Sequence, residues 1–236
     1  MWKKKILQWY SKNKRQLPWR LNKNQNFYRI WISEVMLQQT QVSVVVPYYN
    51  KFITKWPTLE LFYNAKLEDI LKIWQGLGYY KRAQNLYKAK ELLKKSKVKV
   101  VVNSSDLKKL PGVGDYISCA ISAILNDEQC TVIDGNIKRI IVRVFGLKPN
   151  DKFFNKKIKD ISEKLTPLSE NGNYCQSLMD LANLVCKVKK PNCKICPIFF
   201  VCQTKGKLES KKIIKKVNKK FCVAFFINNK NSILID

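Results

Sequence analysis

The sequence predicts an all-α fold, and three observations carry that expectation. Apolar residues recur at three- and four-residue spacing over 27–46, 66–75, 80–95, 115–126, 136–145, 153–165 and 174–186, as helices with one buried face require. Glycine is scarce, and the eight present, at 76, 78, 112, 114, 135, 146, 172 and 206, fall mostly between those segments, where chain reversals use it. Strand-like runs are confined to 98–102, a short β-branched stretch, and to the tail 221–235.

Taken in order, Met1-Trp2-Lys3-Lys4-Lys5 runs directly into an amphipathic segment. In 27–46, Ile30, Trp31 and Leu37 share a stripe; 66–75 presents Ile70, Ile73 and Trp74; 115–126 presents Ile117, Ala120, Ile121 and Ile124. Residues 207–220 form a basic linker, Lys-rich from 210 onward. Beyond it, Phe-Cys-Val-Ala-Phe-Phe-Ile, Asn-Asn-Lys-Asn and Ser-Ile-Leu-Ile read as a β-hairpin. A lone hairpin is marginal in water, so this one is expected to open a further domain or to pack on the helical body.

The chain has 236 residues, 46% hydrophobic and 26% charged, too apolar for a disordered polymer and long enough for a substantial core. No stretch approaches 18 uncharged apolar residues, the length that reads as a membrane span, and the N-terminus lacks the apolar core of a secretory signal. A soluble intracellular protein is expected. Its 45 basic residues against 17 acidic ones give a net charge of +28, which favours polyanions: nucleic acid first, an anionic membrane surface second. Of the 45, 39 are Lys, and part of that excess reads as solvated surface and AT-rich codon usage.

Four of the eight cysteines crowd into seventeen residues: Cys186, Cys193, Cys196 and Cys202, spaced C-x6-C-x2-C-x5-C. Without a secretory signal, disulfides are the weaker explanation. Four thiolates at short spacing hold tetrahedral zinc or an iron–sulfur cluster, and the wide first interval departs from a zinc knuckle. That interval carries Lys187, Lys189 and Lys190, so a bound metal would stiffen a basic loop against phosphate. The scattered Cys119, Cys130, Cys175 and Cys222 are expected to be small buried hydrophobes.

Leu110-Pro111-Gly112-Val113-Gly114 separates Ser105-Asp-Leu-Lys-Lys from the amphipathic run beginning at Asp115. Ser105 can cap the first helix, and Gly112 and Gly114 permit a tight reversal into the second. Such a turn points backbone N–H groups outward at a helix N-terminus, a phosphate grip that carries no sequence information. An ordinary turn between two helices is the plain alternative.

Two carboxylates stand in unusual settings. Glu34 lies on the apolar stripe of its helix, where burial raises a carboxyl pKa and suits a general acid. Asp134 precedes the helical run 137–145 at the position of an N-cap, where free amides and the helix dipole favour the ionised form. One acid pushed up and one kept charged is the pairing that breaks a glycosidic bond. A snorkelling surface Glu and a plain N-cap Asp are the alternatives from local context alone.

Ser-Glu-Val-Met-Leu-Gln-Gln-Thr-Gln-Val (33–42), Gly76-Leu-Gly-Tyr-Tyr, Leu110-Pro-Gly-Val-Gly, Ile133-Asp-Gly-Asn-Ile-Lys-Arg and the four-cysteine loop occur in one order along residues 6–205. Together they resemble adenine DNA glycosylases of the MutY type, within the helix–hairpin–helix glycosylases. The resemblance implies two helical lobes with a DNA-binding cleft between them. One would be a six-helix lobe over 19–125; the other would join 1–18 to 126–206 and carry one 4Fe–4S cluster. It implies a monomer, cytoplasmic and bacterial, associated with the nucleoid through DNA. The substrate would be double-stranded DNA containing adenine opposite 8-oxoguanine or guanine, with the target base flipped out of the stack.

On that model Glu34 protonates the departing adenine, Asp134 stabilises the oxocarbenium ion, and Asn136 orients the chemistry. Tyr116 stands where bifunctional relatives carry a nucleophilic lysine, which implies a monofunctional enzyme. Arg15, Trp19, Leu37 and Asp180 resemble the adenine-pocket lining, and Gln39 and Tyr79 resemble residues that fill or wedge the duplex. Gly112, Val113, Gly114, Lys138, Lys187, Lys189 and Lys190 would meet phosphate. Residues 221–236 look like the start of an incomplete Nudix-like domain, so selectivity for 8-oxoguanine over guanine is expected to be weak. The competing readings are an endonuclease-III-like glycosylase with lyase activity and a non-catalytic DNA-binding remnant.

Overall fold

The apolar stripes become helices in the computed structural model, which describes residues 2–21, 25–96, 102–207, 227–229 and 232–234. In chain order the helices are α1 (Trp2–Asn13), α2 (Phe27–Leu37), α3 (Val42–Lys55), α4 (Leu59–Phe62), α5 (Leu67–Trp74), α6 (Lys81–Ser96), α7 (Ser104–Leu107), α8 (Asp115–Asn126), α9 (Gly135–Phe145), α10 (Phe154–Leu165) and α11 (Asn171–Asp180). They form one compact unit through Gly206. In the unit that follows, β1 (Ile227–Asn229) pairs antiparallel with β2 (Ser232–Leu234), which is part of the hairpin expected there. The remainder of that hairpin, the linker over 208–220 and the β-branched residues 98–101 lie outside the described residues.

Two hydrophobic cores fill the helical unit. The first lies among α2 to α8 and is rich in aromatics: Trp31, Phe52, Phe62 and Trp74 are fully buried. Phe52 meets Trp56 and Phe62 with ring centroids 4.8 and 5.2 Å apart, spacings at which tilted rings attract beyond their burial. The second core is aliphatic and joins Ile6 of α1 to Ile140 and Ile141 of α9, Ile158 of α10 and Leu178 of α11. The Trp2 indole there donates to the Tyr174 hydroxyl at 3.0 Å, so α1 docks far along the chain from its own position.

Helix α8 belongs to both cores. Ile117 and Ile121 face the first, Cys119 and Ala120 the second: residues four apart share a helix face, Cys119 lies opposite them, and Ala120 stands at the boundary between the two cores. Glycine lets α11 lie against it: a Cβ on Gly172 would stand 2.8 Å from the Ala123 carbonyl oxygen and from Ile124 Cα. The helix bearing the glycine turn is thereby pinned at the centre of the unit.

The structure corrects several expectations. The segment 27–46 is two helices, because the chain leaves α2 at Gln38, passes through a left-handed Gln39 (φ 55°) and restarts at Val42. Ser105 does not cap α7. Asn103 does, its side chain accepting from the Asp106 amide at 2.8 Å, while the Ser105 hydroxyl donates to Asn103 Oδ1. The segment 174–186 ends in a π-turn over Leu181–Val185. Cys119 and Cys130 are bonded to each other, with Cα atoms 5.3 Å apart, and are not two separate hydrophobes. Asp127, left-handed at φ 55°, ends α8 and returns the chain alongside that helix, which brings the two sulfurs together.

Candidate active site

A cavity of about 1100 Å3 is walled by Glu34 and Leu37 of α2, Tyr116 of α8, and Asp134 and Asn136 at the head of α9. These residues come from three elements separated by up to a hundred positions in sequence. Arg15 and Trp19 also line it, as do Gly114 and the pair Gln39 and Tyr79.

Glu34 projects from the buried face of α2, and desolvation there raises its carboxyl pKa to about 7. The Arg20 guanidinium opposes that rise, the nearby Asp134 charge adds to it, and the Tyr116 hydroxyl favours the ionised form. Burial first, and then the Glu34 charge, push Tyr116 well above the usual phenol range, so the group facing Glu34 is a neutral phenol at physiological pH. Cys175, also in the wall, is raised by burial and by both carboxylates; it is a neutral thiol and a poor nucleophile.

Asp134 is the N-cap of α9. Oδ1 accepts from the Asn136 and Ile137 amides at 2.9 and 2.7 Å, and Oδ2 accepts from Asn136 Nδ2 at 2.8 Å. Three donors hold this carboxylate rigidly, in the geometry that stabilises negative charge at a helix start. Asn136 Oδ1 in turn accepts from Arg139 Nη1 at 3.1 Å, and Arg139 reaches the Ala182 and Cys186 carbonyls. The acid is thus braced from α9 to the start of the cysteine loop.

Asp180 is not where the resemblance placed it. It is fully buried behind the wall and accepts from the Arg15 amide and Nε and from both terminal nitrogens of Arg20. It carries the two arginines that border the cavity. Arg20, Gln176 and Met179 line that cavity and were missed in the sequence, since one Arg beside Trp19 and one Gln in a helix carry no motif of their own.

The glycine turn sits at the edge of the same cavity. Gly112 is left-handed at φ 80°, and a Cβ there would meet Asn85 Cβ at 2.8 Å, so only glycine fits. Gly112 and Gly114 are exposed, whereas Val113 is buried in the first core and its amide donates to the Leu110 carbonyl at 3.1 Å. Lys138 is half-buried, donating to Asn155 Oδ1 at 3.0 Å above the Phe154 ring. Lys187, Lys189 and Lys190 are exposed.

Cys186, Cys193, Cys196 and Cys202 line a single small cavity of about 20 Å3. The π-turn ends with the Cys186 amide donating to the Leu181 carbonyl at 2.7 Å. Arg143 then donates to the Cys186, Lys187 and Val188 carbonyls. Burial raises the Cys196 thiol to about 11, and it raises Cys193 as well, with the neighbouring thiols adding to both; a cation among them would reverse this. Four thiols on one small cavity are the donor types that a four-thiolate centre uses. Among the described residues, no three cysteine, histidine or acidic side chains stand in metal-holding geometry.

With this geometry in hand, similarity to known proteins can be placed. A family model described as HhH-GPD superfamily base excision DNA repair protein matches residues 32–169, a span that contains the glycine turn, Glu34 and Asp134. The chain belongs to that superfamily. Among curated proteins, an adenine DNA glycosylase of Buchnera aphidicola subsp. Schizaphis graminum is 40% identical over 201 residues, which is 84% of this chain and 57% of that protein. The adenine DNA glycosylase of Buchnera aphidicola subsp. Baizongia pistaciae is 38% identical over 220 residues, 92% of this chain and 62% of the relative. The chain thus spans about three-fifths of the length of these relatives. Of solved structures, a thermostable thymine-DNA glycosylase superposes with a TM-score of 0.76 at 26% identity, covering 88% of this chain and 96% of the other. No helix among the described residues is long and apolar enough to cross a membrane.

Proposed function

We propose that this HhH-GPD chain is a monofunctional DNA glycosylase that removes adenine opposite 8-oxoguanine or guanine in duplex DNA. The observation that carries this is the facing pair in the cavity: Glu34 with its pKa near 7, and Asp134 held by three donors. A purine leaves a deoxyribose only when protonated, and Glu34 is a proton donor at neutral pH. As the bond from sugar to base breaks, its electron pair departs with the protonated adenine and C1′ becomes an oxocarbenium centre. The Asp134 carboxylate faces that positive charge. Water then adds to C1′, and the Glu34 carboxylate, now ionised, takes the water's proton and is restored. Asn136 fixes Asp134.

Strand cleavage by a lyase needs an amine that forms a Schiff base with the sugar. The residue facing Glu34 from α8 is Tyr116, a neutral phenol, so an abasic site is the final product. The target bond is inaccessible inside the stack, so the base must be extruded into the cavity, at least cost when it is mispaired. Gln39 and Tyr79 at the cavity mouth are suited to fill the space it leaves. Arg15, Trp19 and Leu37 would contact the base, with Asp180 supporting Arg15 from behind.

In this reading each core belongs to one lobe, and DNA would lie in the cleft between them. Gly112 and Gly114, with Lys138 and the lysines at 187, 189 and 190, would neutralise phosphates. The four cysteines fit a 4Fe–4S cluster in donor type and sequence spacing; when bound it would hold the 186–202 loop and its lysines in shape. The decisive experiment is single-turnover adenine release from duplexes with adenine opposite 8-oxoguanine, guanine or thymine. Release from the first two, with strand breaks only after alkali, is expected. Breaks without alkali would favour a lyase, and no release from cluster-loaded protein would reject the assignment.

A further inference from the structure

Arg82, in the first turn of α6, is only 7% exposed, and its guanidinium bridges two separate segments. Nη1 donates to the Val35, Met36 and Gln38 carbonyls at 3.3, 2.6 and 2.6 Å. Nη2 donates to Leu77 and Gly78 at 3.3 and 3.0 Å. The first three acceptors are at the C-terminal end of α2, where helical carbonyls have no partner of their own. The other two belong to the loop between α5 and α6. The same guanidinium lies 5.5 Å from the Trp74 ring centroid and 5.3 Å from that of Tyr79.

Each of these two segments delivers one side chain to the cavity. One places Gln39 and the other Tyr79 at the cavity mouth, and both residues are left-handed, at φ 55° and 51°. For residues other than glycine that conformation is strained, and it persists only where surrounding contacts over-determine it. Tyr79 is 59% exposed, so little else packs on its ring. One buried cation is the shared anchor of two strained, exposed side chains from distant parts of the chain.

We propose that Arg82 is a positioning residue for base extrusion: it locks the 35–39 and 77–79 segments into one rigid element, so that Gln39 and Tyr79 enter the duplex together. The proposal rests on the reading of those two residues as duplex wedges. A planar fork with five donors can satisfy carbonyls on both sides at once; an ammonium, a single point charge with three donors, cannot hold both in the same geometry.

The test compares wild type with Arg82→Lys, Gln39→Ala and Tyr79→Ala, on a duplex carrying fluorescent 2-aminopurine in place of the target adenine, opposite guanine. Arg82→Lys is expected to bind the duplex within about threefold of wild type yet to lose at least half of the fluorescence rise per bound complex. Adenine release on the matching adenine duplex should fall about tenfold, as expected when positioning is lost, with its pH midpoint unmoved. A full fluorescence rise in Arg82→Lys, or unchanged release, overturns the proposal. If both alanine variants keep the wild-type rise, the wedge reading fails and takes the proposal with it. If they lose it and Arg82→Lys does not, only the role of Arg82 falls. Should Arg82→Lys not fold, hydrogen exchange on the wild type decides: the Thr40 and Leu77 amides must open with one common free energy, and independent opening refutes the shared anchor.

Discussion

Replacing Glu34 with glutamine should make the protein more stable while stopping its chemistry, and the size of the gain follows from the site. Burial lifts the Glu34 pKa from 4.5 to about 7. Between those values the folded protein holds a proton that the unfolded chain has released, so stability falls as pH rises across that window. The shift is about 2.5 units, and at about 1.36 kcal/mol per unit the ionised side chain costs about 3 kcal/mol above pH 7. Glutamine mimics the protonated acid in shape and charge and avoids that cost. Urea unfolding of wild type and Glu34→Gln from pH 4 to 9 reads the difference directly, since every other titrating group cancels in it. The two proteins should match near pH 4.5, diverge through pH 7 and stay about 3 kcal/mol apart at pH 8. Wild-type adenine release should fall about tenfold per pH unit above 7, as a general acid loses its proton. A pH-independent stability difference, or a variant weaker than wild type at pH 8, would refute the argument that burial tunes this carboxyl.

Other substitutions separate structural from chemical roles. Asp134→Asn keeps a side-chain oxygen for the amides at the start of α9, so its unfolding free energy should stay within about 1 kcal/mol of wild type while adenine release is lost; a large stability loss would make Asp134 a cap alone. Asp180→Asn removes the counter-charge of Arg15 and Arg20 and should cost about 3–5 kcal/mol in urea unfolding; a neutral result would mean water reaches the pair. Gly112→Ala meets both a positive φ and Asn85, so about 1–3 kcal/mol of stability and duplex affinity should fall together, equally for all sequences. Under the proposed 4Fe–4S reading, Cys202→Ser, or iron removal by chelation, should lower duplex affinity and flatten its salt dependence, because the lysines at 187–190 would lose their support; an unchanged salt slope would free those lysines from any role.

Much of this protein is decided locally. The stripe Ile117, Ala120, Ile121 and Ile124 makes α8 a helix wherever it lies, and Asp134 before a helical run caps that run with its own side chain, because both effects act within one or two turns. The raised pKa of Glu34 was likewise foreseeable from its place among Ile30, Trp31 and Leu37, since an apolar stripe is what becomes buried. Where local and tertiary forces compete, the chain alone was misleading. Nothing in Leu37-Gln38-Gln39-Thr40 announces a break, yet α2 stops there, with the Met36 and Gln38 carbonyls held by Arg82 from more than forty residues away. Asp180 carries no sign that two arginines from the N-terminal segment will hide it behind the cavity rather than in it. Cys119 and Cys130 meet only because Asp127 reverses the chain. Composition and helix content are properties of neighbouring residues and were legible in the sequence, whereas local context left Glu34 open as a surface side chain and Asp134 as a plain cap. That Glu34, Tyr116 and Asp134 share one cavity is a property of packing, set by a helix that two cores hold in place, and only the tertiary structure decided it.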